Sequence, residues 1–285
     1  MSYRILTDSC ADLPQSMLDS LGVSAAALML NYKGQTMPNN AADLLTLYQD
    51  LKNGEPVTTS AVNPQGWRSI MEPALLSGQD LLVLAFSSGL STTYQSAVIA
   101  ADELRGEFPQ RTIRVVDTLC ASLGQGLLVY YAAKKQQQGQ SLEEVAAWVE
   151  WAVPHLSHFF TVDDLMYLKR GGRVSAATAL LGTALGIKPV LHVDDEGHLV
   201  SLSKVRGRKA SILALAKQHK DLALPEYGDV AWICHGNCLA DAQILEKELK
   251  ENCGVKEVFI DYTGAVIGSH SGPGTLALFF VGQHR

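Results

Sequence analysis

The segment Gly264-Ala-Val-Ile-Gly-Ser-His-Ser-Gly-Pro-Gly-Thr275 sets one imidazole, His270, between two serines in a run of four glycines and a proline. Glycine lets a backbone come close to a ligand, and a histidine among hydroxyls can donate, accept or carry a proton near neutral pH. Two hydroxyl clusters lie far away in sequence: Thr58, Thr59 and Ser60 before Ala61, and Ser87, Ser88, Ser91, Thr92 and Thr93 before Tyr94. Both read as turns at a helix start, where side-chain and backbone donors can hold an anion with the helix dipole assisting. Capping accounts for any one of these residues. Two clusters together suit a carboxylate or phosphate, which needs several donors.

A second kind of chemistry is written between Lys169 and Lys209. Eight Lys or Arg residues stand there against three acids (Asp194, Asp195 and Glu196), a local excess of positive charge in a chain whose total is −6. Within it, Ser175 to Ile187 is an uncharged run of small and aliphatic residues that reads as a helix. A basic rim beside an apolar helix suits a ligand or partner with an acidic end and a greasy body. A core helix with a solvated edge reads the same way.

Other chemistries are poorly supported. No GxxxxGK phosphate loop is present, and Ser122-Leu-Gly-Gln-Gly-Leu-Leu lacks the third glycine of a dinucleotide loop, so close helix packing fits it better. Cys234-His235-Gly236-Asn237-Cys238 offers three soft ligands with no second pair at zinc-site spacing, and no metal is expected. There is no GxSxG nucleophile turn. A pI near 5.7 makes nucleic acid a poor partner. Five cysteines without repeating spacing fit reduced thiols, and the N-terminal residues enter a strand without signal-peptide character, so a cytoplasmic location is expected.

The elements that must position these groups alternate. Strand-like runs occur at Tyr3 to Thr7, Leu81 to Phe86, Ile113 to Val116, His158 to Val162, Val230 to Cys234 and Val255 to Ile260. Helical patterns lie at Ala41 to Leu51, Thr92 to Leu104, Leu142 to Val153 and Leu239 to Asn252, the third opened by a Ser141/Glu144 capping box. The alternation predicts an α/β fold with a largely parallel sheet, whose ligands bind in loops after the strands' carboxyl ends. Pro154 ends a helix, so two domains are expected, at residues 1–154 and 155–285.

Eight segments in order now resemble the DegV family, whose members include the fatty-acid-binding subunits of bacterial fatty acid kinase. They begin at Ile5 (ILTDSCADLP), Thr58 (TTSAVNP), Phe86 (FSSGLSTTYQSA), Val116 (VDTLCASLGQGLLV), Leu168 (LKRGGRVS), Ile187 (IKPVL), Lys204 (KVRGRKA) and Gly264 (GAVIGSHSGPGTLALFF). The resemblance implies an N-terminal Rossmann-like domain and a C-terminal α/β domain enclosing one long-chain fatty acid between them. It assigns the carboxylate to Thr59, Ser91 and His270, and places Arg170, Arg173 and Arg206 near the head group or on a partner-facing surface. Ala177, Leu180, Leu181, Ala184 and Ile187 become acyl-pocket candidates. It further implies a carrier without cofactor that presents a fatty acid such as palmitate to a separate kinase subunit, with transient membrane-surface contact. Two positions depart from the family pattern. Ser91-Thr92-Thr93 puts a side chain where a glycine is usual, and Thr59-Ser60-Ala61-Val62 replaces a TSQP-like turn. The competing reading is an enzyme or binding protein for a small phosphorylated metabolite, using the hydroxyl loops and His270.

Overall fold

The computed structural model describes residues 2–173 and 186–285. Its strands run in chain order as β1 (Tyr3–Asp8), β2 (Ser24–Ala26), β3 (Met29–Tyr32), β4 (Gln35–Pro38), β5 (Val57–Ser60), β6 (Asp80–Ala85) and β7 (Ile113–Asp117). They continue as β8 (Leu156–Thr161), β9 (Ile187–Val193), β10 (Leu199–Arg206), β11 (Val230–His235), β12 (Glu257–Tyr262) and β13 (Leu276–Val281). The helices are α1 (Gln15–Leu21), α2 (Leu44–Lys52), α3 (Pro64–Leu76), α4 (Thr93–Glu107), α5 (Ser122–Gln137), α6 (Leu142–Ala152), α7 (Met166–Arg170), α8 (Arg208–Leu222), α9 (Leu239–Asn252) and α10 (Ala265–Ser271).

A four-stranded parallel sheet, in the order β2-β1-β6-β7, forms the first half. Every residue of β6 is buried, and β1 is nearly so, because helices cover both faces; apolar residues therefore run on without alternation. The second half carries a six-stranded sheet in the order β10-β9-β8-β13-β11-β12. Only the β11–β12 pair in it is parallel. The parallel arrangement expected from the alternation thus holds in the first sheet, whereas the second is mainly antiparallel. The tight turn at Asp194–His198 forces β9 and β10 to run opposite ways.

A small antiparallel sheet, β4-β3-β5, corrects one sequence expectation. Thr58, Thr59 and Ser60 lie on β5, not in a turn at a helix start. Helix α3 begins only at Pro64, where the Asn63 side chain accepts from the Gly66 N–H at 2.8 Å. Elsewhere the sequence signals hold closely. The capping box at Ser141 and Glu144 is formed in both directions, and β12 begins two residues later than its apolar pattern suggests. The helix expected from Ser175 falls almost wholly outside the described residues.

Helix α5 joins the two halves. Leu123, Leu127, Leu128 and Val129 pack in one cluster with Leu82 and Leu84 of the parallel sheet and with Trp232, Phe279 and Val281 of the mixed sheet. Its glycines make this possible, as the sequence reading of close helix packing anticipates. A Cβ at Gly124 would run into the His158 imidazole, and one at Gly126 would lie 2.6 Å from the Ala11 carbonyl oxygen. A second seam closes at the β9–β10 turn. There Ser87 Oγ donates to the Gly197 carbonyl at 2.9 Å, and Gly89 leaves no room for a side chain beneath Glu196 and Gly197.

Candidate functional site

A cavity of about 430 Å³ lies between the two halves. Loops that follow β2, β6 and β7 form one wall through Leu28, Phe86, Ser88, Ser91 and Ala121. This is the carboxyl edge of the parallel sheet, where ligands of such sheets bind. The opposite wall is the inner face of the mixed sheet. Side chains alternate along its strands, so His158, Phe160, Ala277 and Phe279 face the cavity while Phe159, Leu278 and Phe280 pack beneath α8 and α9. Such a wall accepts methylene groups and offers them no hydrogen bond.

His270, on the last turn of α10, places Nε2 2.8 Å from Thr59 Oγ1 on β5. Residues 211 positions apart thereby meet at the cavity wall. Burial, with help from the Arg173 guanidinium, lowers the His270 pKa to about 4, so the ring is neutral at physiological pH. In the Nε2–H tautomer the ring donates to Thr59, and the threonine hydroxyl proton is left for a ligand. The imidazole is seated by Gly171, where a Cβ would collide with Nδ1.

Ser91 lines the same cavity, and its Oγ accepts from the Thr93 N–H at 3.2 Å and lies 2.9 Å from Thr93 Oγ1. It therefore acts locally as a cap, and when Thr93 donates to it the Ser91 proton is free to point elsewhere. Thr92, at the position where glycine is usual, has φ −79, a conformation open to any residue. The backbone there does not need glycine.

Of the three arginines singled out from sequence, Arg173 alone lines the cavity. Its Nε donates to the Leu90 carbonyl at 3.3 Å and its Nη1 to the Gly171 carbonyl. Arg170 is exposed and stacks over the Tyr167 ring at 4.6 Å. Arg206 is exposed at the end of β10. Neither is placed beside the hydroxyls, although both remain on the surface. Ile187 is not among the described residues in the wall of this cavity. It shares a strand face with Val193, which is in that wall, but six residues of β-strand, roughly 20 Å, separate them. Ala177, Leu180, Leu181 and Ala184 lie outside the described residues.

Sequence reasoning missed several wall residues. His158 is fully buried, with Nδ1 2.9 Å from the Leu156 carbonyl and Nε2 accepting from the Ala121 N–H at 3.3 Å; burial lowers its pKa to about 3. With both nitrogens occupied it serves the cavity as an apolar ring. Ser122, at φ 53, donates to Asp12 Oδ2 and lies 3.3 Å from Cys234 Sγ, which Thr263 Oγ1 also approaches at 3.0 Å. Burial raises Asp12 to about 7 and Cys234 to about 12, so the thiol is no nucleophile. The left-handed backbone at Ser122 has no sequence signal, since glycine would have been the expected residue.

The same fold recurs in solved structures. A fatty-acid-binding DegV family protein of Thermus thermophilus superimposes with a TM-score of 0.89 at 32% identity, covering 99% of this chain and 100% of that one. A DegV lipid-binding protein of Thermotoga maritima gives 0.85 at 28% identity, with 100% of both chains covered. In sequence, a DegV domain-containing protein of Clostridium perfringens is 43% identical over 286 residues, 99% of this chain and 98% of its own. A family model spanning residues 2–283, from the first strand through the last, places this chain in the DegV family.

Proposed function

We propose that this chain binds one long-chain fatty acid in the cavity, its carboxylate among Thr59, Ser91, His270 and Arg173 and its tail along Phe160, Ala277 and Phe279. The observation that carries the reading is the union, in one cavity, of convergent hydroxyls and a cation with an aromatic and aliphatic wall. Fatty-acid and lipid binding by the Thermus and Thermotoga relatives supports it. A small phosphorylated metabolite would leave the apolar wall without a counterpart.

The physical chemistry agrees in sign and size. A buried carboxylate is costly unless several donors meet it, and here the donors are hydroxyls and one guanidinium, because the single N–H of the neutral His270 is given to Thr59. At about 0.8 kcal/mol per buried methylene, a tail of some 14 to 17 carbons contributes on the order of 10 kcal/mol before ordering costs. That is enough to retain the lipid through purification.

In this reading the protein is a cytoplasmic carrier that takes a fatty acid such as palmitate from a membrane surface and presents its carboxylate to a kinase partner. ATP and its metal would belong to that partner. Arg173 would meet the added negative charge at the head group, and Arg170 and Arg206 would face the kinase. The two domains, 1–154 and 155–285, would each contribute one wall.

Mass spectrometry of an organic extract from natively folded protein tests the binding. A stoichiometric fatty acid of about 14 to 18 carbons is expected on the burial argument above. Protein that yields no lipid and takes up neither palmitate nor oleate would refute it. For the carrier role, His270→Ala and Arg173→Ala should lower acyl-phosphate formation with a purified fatty acid kinase subunit more than they lower lipid binding; unchanged turnover in both would remove that role.

A further inference from the structure

Of the hydroxyl residues that line the cavity, Ser88 is half-buried and Thr92 exposed, so solvent can reach them; the others are accounted for one by one. Thr59 meets His270, Ser91 meets Thr93, Ser122 meets Asp12, Thr263 meets Cys234, and Thr275 donates to the Gly272 carbonyl at 2.8 Å. On α10 itself, Ser269 folds back onto the Val266 carbonyl at 2.8 Å. Ser271 differs. It lines the cavity, it is only 5% exposed, and among the described residues its Oγ has no hydrogen-bond partner.

Its place on the helix says which part of a ligand it meets. Ser271 follows His270 on the last turn of α10, about 1.5 Å further along the axis and about 100° round it. His270 turns to Thr59 on β5, while Ser271 continues the face of Ile267, one turn earlier, which also lines the cavity. The two side chains therefore flank the cavity at one level, the level of the head-group hydroxyls. The serine hydroxyl is out of reach of water and unpaired even without a ligand; rotation of its side chain to a rotamer that faces the cavity would let a ligand oxygen satisfy it, and an acyl tail at that level would not. A carboxylate has about four acceptor sites, more than Thr59, Ser91 and Arg173 occupy with one hydrogen bond each.

We propose that Ser271 is a further ligand-binding residue, whose hydroxyl donates to the carboxylate of the bound fatty acid from a face of α10 about 100° round from the one that meets Thr59. This rests on the fatty-acid reading above. It makes the residue after the histidine, and not the histidine alone, part of the head-group site.

The test separates a binding hydroxyl from a structural one, because the two predict opposite signs. Palmitate is titrated into delipidated wild-type, Ser271→Ala and Ser271→Thr proteins by calorimetry, and the melting temperature of each ligand-free protein is measured. Ser271→Ala should melt at or above the wild-type temperature, since it deletes a buried hydroxyl without a partner, yet bind palmitate about five- to tenfold more weakly. Ser271→Thr, which keeps the hydroxyl, should recover most of the affinity. Wild-type affinity in the alanine variant, or a lowered ligand-free melting temperature that accounts for its weaker binding, would overturn the proposal. Failure of the wild-type protein itself to bind palmitate would instead bring down the fatty-acid reading, and this inference with it.

Discussion

Gly171 has a φ of −69, where any residue is comfortable, so conformational freedom does not explain it; space does. Gly171→Ala should push the His270 ring off Thr59, destabilise the protein by about 1–3 kcal/mol in urea denaturation, and weaken palmitate binding. Its neighbour Gly172, at φ 70 with nothing among the described residues within 4 Å of an added Cβ, should respond differently. Gly172→Ala should cost about 1 kcal/mol through the backbone and leave binding unchanged. The arginines divide in the same manner. Arg173→Met should weaken palmitate binding about tenfold, whereas Arg170→Ala and Arg206→Ala, which alter exposed side chains, should stay within about twofold. At this scale the sequence was readable where glycine density marked a close approach, as around His270. It was silent at Ser122, Cys234 and Thr263, whose meeting brings Ser122 to a strand 112 positions away and to a loop 29 positions beyond that.

Asp8 ends β1 and ties three elements together. Its carboxylate accepts from the Phe86 N–H beyond β6 at 2.7 Å, from the Cys10 N–H at 3.0 Å and from Gln125 of α5 at 3.2 Å. Asp8→Ala would leave those donors buried and unpaired, and should cost about 3 kcal/mol or more in chemical denaturation. The elements themselves were largely legible. Continuous apolar runs announced β1 and β6, and the capping box announced α6, whereas β13 was not read as a strand although every residue of it is buried. What escaped was pairing. The β3–β4 hairpin and β5 are short, half-exposed strands whose identity comes from their partners, so Thr59 looked like a turn residue until β3 was set beside it. The mixed sheet has the same origin: nothing local in β13 says that it lies between β8 and β11, antiparallel to both.

Across the whole molecule, buried titratable groups set the response to acid. Burial lowers His158 to about 3 and His219 and His270 to about 4, below the ordinary 6.5. The unfolded chain then binds their protons first, so their contribution is intact above pH 6.5 and is lost as pH falls toward 4. Asp8 and Asp12, raised by burial to about 6 and about 7, act in the opposite sense: the folded state takes their protons first, and stability from them grows as pH falls through those values. His219 isolates one contribution, since neither ring nitrogen has a partner among the described residues and Phe280 packs on it at 4.8 Å. His219→Leu should stabilise the protein, and by about 1–2 kcal/mol more at pH 5 than at pH 7.5, as read from urea melts at the two values. A gain equal at both would show that the histidine does not titrate in the unfolding. The strand order has a consequence of another kind, in time. Among the described strands β13 is the last to leave the ribosome, yet it is the staple between β8 and β11 and carries Ala277 and Phe279 of the cavity wall. Until it emerges, β8 and β11 are open edges that invite pairing with other chains. The first half can settle while translation continues; the second half, and with it the cavity, is closed only once β13 has emerged.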